Sequence, residues 1–150
     1  MNNGINVNSE IGKLKSVLLH RPGAEVENIT PDTMKQLLFD DIPYLKIAQK
    51  EHDFFAQTLR DNGAETVYIE NLATEVFEKS SETKEEFLSH LLHEAGYRPG
   101  RTYDGLTEYL TSMPTKDMVE KVYAGVRKNE LDIKRTALSD MAGSDAENYF

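Results

Sequence analysis

His90 and His93 stand three apart in SHLLHE, a spacing that on a helix sets two imidazoles on neighbouring faces. Zinc wants a third or fourth ligand, and only Glu86 and Glu94 are close by, so the pair reads as a solvated helix face. His52, flanked by Glu51 and Asp53, has the chemistry of a base, but it falls on an apolar stripe and reads as a core histidine. His20 and Arg21 follow a short apolar run, at the strand end where α/β sheets place ligand sites. Asp40 and Asp41 suggest an acid–base pair. Adjacent side chains in an extended stretch point apart, which argues against a shared proton. Capping of the following helix accounts for Asp41. Gly12, Gly23 and Gly63 are turn glycines without the spacing of a phosphate loop. The chain has no cysteine, which removes disulfides, thiolate metal sites and a thiol nucleophile. These residues make no complete catalytic constellation.

One stretch resists such sorting. Leu37-Leu38-Phe39 runs into Asp40-Asp41-Ile42-Pro43-Tyr44 outside any helix or strand pattern. Apolar side chains on a loop are expected to cover something or to be covered. The 150 residues, 39% of them hydrophobic, suffice for about one domain with a real core. A formal charge of −9 argues against nucleic acid, whose affinity rests on Lys and Arg neutralising phosphates. MNNGINVNSEIGK has no basic segment followed by an apolar one, and no apolar run approaches a membrane span. A soluble, cytoplasmic protein that binds neither membrane nor nucleic acid is the expectation.

The elements that position these residues follow from periodicity. Leu14 to His20 reads as a buried strand closed by Arg21-Pro22-Gly23. Thr30-Pro31-Asp32 starts a helix from Pro31 to about Leu38. Asp41 is placed to cap a longer helix with Leu45, Ala48, His52, Phe55 and Leu59 on one stripe, broadened by Tyr44, Ile47 and Phe54. Asn62-Gly63 stops it. Glu65 to Ile69 reads as a second strand, completing a βαβ-type unit. Beyond Asn71 the pattern is helical. Leu72 to Lys79 is a short helix, and Phe87, Leu88, Leu91, Leu92 and Ala95 line another, stopped by Gly96. Thr102 and Thr115 are placed to cap two more, carrying Leu106, Tyr109, Leu110 and Met113, then Met118, Val119, Val122, Tyr123 and Val126. Short connections between them imply a small antiparallel bundle. The tail, Leu131 to Phe150, is weakly periodic, with Ile133, Leu138 and Met141. Two strands do not make a stable sheet, so the expectation is the opening of a larger fold and a chain that is a fragment.

NSEIGKLKSVLLHRPG, ITPDTMKQLLFDDIPYLKIAQKEHDFFAQTLRDNGAETVYIENL and YAGVRKNEL, taken together, resemble the N-terminal part of bacterial arginine deiminases. The likeness runs from about Ile5 to Leu131, and LLFDDI followed by AQKEHDFF is its specific core. The resemblance implies an α/β fold, the start of a pentein α/β propeller with an incomplete first ββαβ module and an inserted α-helical bundle. Residues 1–71 would open the propeller, 72–142 form the inserted helical domain, and 143–150 return to the propeller. The implied reaction is hydrolysis of L-arginine to L-citrulline and ammonia through a covalent amidino-cysteine intermediate, without cofactor or metal, by a homo-oligomer when full length. In the family a cysteine attacks the guanidinium carbon, a histidine is the general acid and base, and acids hold the cation by forked hydrogen bonds. None of these falls within the chain, so no catalytic residue is assigned and the 150 residues alone are expected to be inactive. Leu38 matches a family position that closes over bound arginine, and Phe39 and Asp40 belong to the same lid segment. An alternative from another class is a stand-alone, non-catalytic helical module that binds or regulates. A related amidinotransferase is a third possibility, against which the helical insertion and LLFDDI speak.

Overall fold

The computed structural model describes residues 7–34 and 37–131. Strand β1, Ser16–Leu19, is followed by two single-turn helices, α1 at Ala24–Glu27 and α2 at Pro31–Met34. Helix α3, Leu45–Asp61, crosses back to strand β2, Glu65–Tyr68. Four helices follow: α4, Ile69–Lys79; α5, Ser81–Glu94; α6, Arg101–Thr111; and α7, Thr115–Ala124. A 3-10 turn at Lys128–Glu130 ends the described chain. The strands pair in parallel, Ser16 opposite Glu65 through Leu19 opposite Tyr68. The fold is mixed α/β, mostly helical, with one two-stranded parallel sheet among the described residues.

Several boundaries differ from the sequence expectation, each for a local reason. Pairing extends over four residues per strand, so β1 is shorter than Leu14 to His20, and Ile69 already belongs to α4. The helix beginning at Pro31 does not reach Leu38. Residues 31–34 are helical, 35 and 36 lie outside the described residues, and Leu37 and Leu38 form a turn. Asp41 does not cap α3. That helix starts at Leu45 with Tyr44 at its N-cap and no side-chain cap bond, while Asp41 Oδ1 accepts from the Ile42 amide at 2.8 Å. Pro43 disfavours helical backbone at the residue before it, which delays the start. Neither Thr102 nor Thr115 is an N-cap, since both are helical residues behind Gly100 and Pro114. A side-chain cap does form at the start of α5, where the Ser80 hydroxyl accepts from the Thr83 amide at 3.1 Å.

The buried core is helical. Phe77, Leu88, Leu92, Leu106, Leu110, Met118, Val119 and Val126 form one cluster drawn from α4, α5, α6, α7 and the residues just after α7. Gly96, at φ 88°, makes the turn after α5 that only glycine adopts without strain. The α/β half is thinner. On α3 the covered line passes through Leu45, Ala48, His52, Ala56 and Leu59, with Ala56 fully buried. Phe55, expected on this stripe, is half exposed, and Phe54 is 76% exposed. The small Ala56 lets α3 approach the sheet, and the bulky neighbours point elsewhere. Residues 132–150, including Ile133, Leu138, Met141 and the expected 143–150 return, lie outside the described residues.

Candidate functional site

The parallel register sets Leu19 beside Tyr68, so the chain leaving both strand ends brings His20 and Glu70 together. His20 Nδ1 meets the Glu70 carboxylate, and Nε2 lies 3.1 Å from Glu25 Oε1. The ring stacks on Tyr123 of α7, with centroids 4.8 Å apart and planes 25° from parallel. Glu25 also accepts from the Gly23 amide, which holds α1 against the strand end. These groups border an open cleft of about 560 Å³ whose lining includes Gln49, Lys116 and Glu120. It sits at the carboxyl ends of parallel strands, the position where open α/β sheets bind ligands.

His20 thus lies between the two carboxylates and, with its stacking on Tyr123, joins β1, α1, α4 and α7. Burial, and then the charge of Glu70, push the Tyr123 phenol above its usual value. On the other flank Arg21 forks onto Asp53 of α3, Nε to Oδ1 at 2.8 Å and Nη2 to Oδ2 at 2.9 Å. That bond raises the Arg21 guanidinium and holds the Asp53 carboxyl below the usual carboxylate range. Gln49 Nε2 donates to the Pro22 carbonyl at 3.0 Å. The cleft thus holds an imidazole beside two carboxylates and a phenol kept protonated, a set that suits hydrogen bonding and the holding of cations.

Leu38, Phe39 and Asp40 share one exposed loop and do not line this cleft. Leu38 is 91% exposed and adopts φ 59°, the one left-handed non-glycine among the described residues. The Phe39 amide donates to the Met34 carbonyl at 3.0 Å, the kind of bond that closes a helix end when the intervening residue is left-handed. Glycine normally fills that position, because an L side chain there is strained. Leu37, Phe39, Ile42 and Tyr44 are exposed as well. His52 is partly buried rather than sunk in a core. Its ring lies 5.9 Å from Tyr68, and its Nε2 is buried without a partner. His90 and His93 are exposed on α5, and among the described residues no three His, Asp or Glu converge as a metal site.

His20 and Arg21 were legible as strand-end residues, whereas Glu25, Glu70 and Tyr123 were not singled out. One signal was present, since Glu70 follows β2 much as His20 follows β1, and a parallel pair must bring both together. A second polar set was also missed. Glu130 accepts from Lys121 Nζ at 2.7 Å, from the Tyr109 hydroxyl at 2.8 Å and, through Oε1, from the Arg127 amide at 3.0 Å. Burial pushes the Glu130 carboxyl up, but these bonds outweigh it and hold it low. Burial and the bond to Glu130 push the Tyr109 phenol up to about 12.

A family model described as arginine deiminase matches residues 35–150. Over all 150 residues the chain is 99% identical to a curated arginine deiminase of Lactococcus lactis subsp. lactis (strain IL1403), of which it covers 37%. It is 59% identical, again over its whole length, to an arginine deiminase of Latilactobacillus sakei, covering 36% of that protein. Against an arginine deiminase of Clostridium perfringens (strain SM101 / Type A) the identity is 54% over 142 residues, 93% of this chain and 34% of the relative. The chain therefore spans little more than a third of the length of these relatives.

Proposed function

The chain belongs to the arginine deiminase family, and we propose that it is the N-terminal part of an enzyme that hydrolyses L-arginine to L-citrulline and ammonia. In that reaction a cysteine thiolate adds to the guanidinium carbon, ammonia leaves, and water then releases citrulline and restores the thiolate. The substrate is L-arginine, no cofactor takes part, and the complete enzyme is a cytoplasmic homo-oligomer. The observation that carries this reading is the match of residues 35–150, reinforced by identity with arginine deiminases along the entire chain. Residues 1–71 open a pentein propeller, 72–142 form its inserted helical domain, and 143–150 lead back. The parallel β1–β2 pair and the helical core built from α4 onward support that division.

The chain's own contribution to the site is the loop. Leu38 is the lid residue, with Phe39 and Asp40 in the same segment, closing over the arginine and excluding water from the reacting carbon. Support comes from its exposure: a leucine bared to solvent on a strained turn contributes little packing where it stands, and a closed state would give it some. The chain has no cysteine, so the purified 150 residues should form no citrulline from arginine above a blank. Turnover by that chain, with longer enzyme excluded by intact mass, would refute the assignment of the nucleophile to another part of the protein. The second reading, a non-catalytic helical module, draws support from a main core cluster built from the helical half. A complete enzyme carrying these residues that left arginine untouched would favour it.

A further inference from the structure

The segment that carries Leu38 is tied to the helical half through Asn28. Asn28 closes α1, its amide donating to the carbonyls of Ala24 and Glu25 at 3.2 Å each. Its side-chain amide reaches the end of α7, far away in sequence. Nδ2 donates to the Ala124 carbonyl, and Oδ1 accepts from the Arg127 guanidinium. The local geometry explains the partner. A helix leaves its last carbonyls without intrahelical donors. Gly125, at φ 78°, turns the chain away from α7 and leaves the Ala124 carbonyl to an outside donor. Arg127 is fixed from behind, because Glu130 accepts from its amide while also holding Lys121 and Tyr109. The same guanidinium reaches the Glu27 carbonyl at 3.4 Å.

Beyond Asn28 the chain continues into α2, and the exposed Leu37–Tyr44 loop then leads to α3. Before Asn28 it is held to α3 by Arg21–Asp53 and Gln49–Pro22. We propose that Asn28 and Arg127 are positioning residues for the lid, a pin through which the end of α7 sets the resting place and travel of the Leu38 loop. Neither need touch substrate. The proposal rests on the lid reading of Leu38 for its consequence in catalysis, but the coupling itself can be measured without activity.

Because the chain has no cysteine, Asp41→Cys carries a single nitroxide on the loop, and Glu85→Cys carries one on the exposed face of α5 as a control. Arg127→Ala and Asn28→Ala should each shorten the rotational correlation time of the loop label by about twofold, within nanosecond side-chain and loop motion, while the control label stays unchanged. The double variant should loosen the loop by less than the sum of the single effects, because the two substitutions share the Asn28–Arg127 bond. Arg127→Gln serves as well, should Asn28→Ala fail to fold. An unchanged loop label in a variant folded by circular dichroism overturns the proposal, as do equal loosening of both labels or additive effects. Kinetics of Leu38→Ala in the complete enzyme test the lid separately. A coupled loop with a kinetically silent Leu38 sinks the lid reading alone, and an uncoupled loop with a catalytically important Leu38 sinks the pin alone.

Discussion

Two substitutions at Leu38 separate what its backbone costs from what its side chain does. The residue sits at φ 59° and is 91% exposed. Left-handed backbone costs an L-residue about 1–2 kcal/mol, and so bare a side chain returns almost none of the burial that offsets such strain. Leu38→Gly removes the strain and gives back part of the gain through the greater freedom of glycine in the unfolded chain, about 0.5–1 kcal/mol. The net expectation is a stabilisation of roughly 0.5–1 kcal/mol, a rise in melting temperature of about 1–4 °C. Leu38→Ala keeps the strain and deletes only solvated atoms, so stability should stay within about 0.5 kcal/mol. In the complete enzyme the two variants should behave alike, because both lose the side chain proposed to cover the substrate. A buried leucine is worth about 1.5–3 kcal/mol, so kcat/KM for arginine should fall by roughly tenfold or more. Thermal melts and steady-state kinetics on both variants check this. If Leu38→Ala costs more than about 2 kcal/mol of stability, as a core truncation does, and leaves kinetics unchanged, Leu38 is an anchor and the reasoning fails.

His52→Ala should cost about 1 kcal/mol in denaturant unfolding, near the low end for a lost core side chain, because the ring is only partly buried. His52→Leu should be no worse than the alanine, since it also removes the buried, unpartnered Nε2. A His52→Ala variant of the complete enzyme with full stability but no turnover would show that the residue acts in catalysis. Tyr109, raised to about 12, contributes stability that is complete below the ordinary phenol range near 10 and is lost as pH climbs through its folded value. Glu130, held low, contributes stability present above the ordinary carboxylate range and lost as pH falls through its folded value. An ultraviolet phenolate titration should show one tyrosine ionising near 12. Glu130→Gln should bring that step down, and a step that does not move would mean Glu130 plays no part in the shift.

How far the sequence reveals this structure depends on the range of the forces involved. The parallel βαβ unit, α3 and the four later helices are set by periodicity and turn residues within each segment, and they were legible. Cap residues were less so. Thr102 and Thr115 have the right chemistry, yet the helices start before or at them, because capping competes with the geometry of the preceding turn. Phe55 was misplaced for a longer-range reason. Periodicity allowed Phe55 or Ala56 to face inward, and close approach to the sheet selected the small residue. The Asn28–Arg127 link was beyond reach, since its partners lie about a hundred residues apart and neither belongs to a motif. Leu38 was singled out only through resemblance, because nothing in LLFDD predicts a left-handed leucine.

The two halves differ in how far they account for themselves, and the difference bears on the lid. The helical half has a closed core in which Leu92, Leu106, Leu110 and Val126 are fully covered. The α/β half leaves Leu18 of β1 more than half exposed, along with Phe54 and Phe55 of α3. Two parallel strands cannot bury a face unaided, so that half draws its order from what is packed against it. Within the described residues much of that support comes from the helical side, through His20 on Tyr123 and Asn28 on Ala124 and Arg127. The relatives are nearly three times as long as this chain. The contacts at the end of α7 are made within these residues, by Asn28, Ala124 and Arg127. The loop bearing Leu38 therefore lies between a helical half with a closed core and an α/β half that leans on it, the setting in which the proposed lid would move against a fixed neighbour.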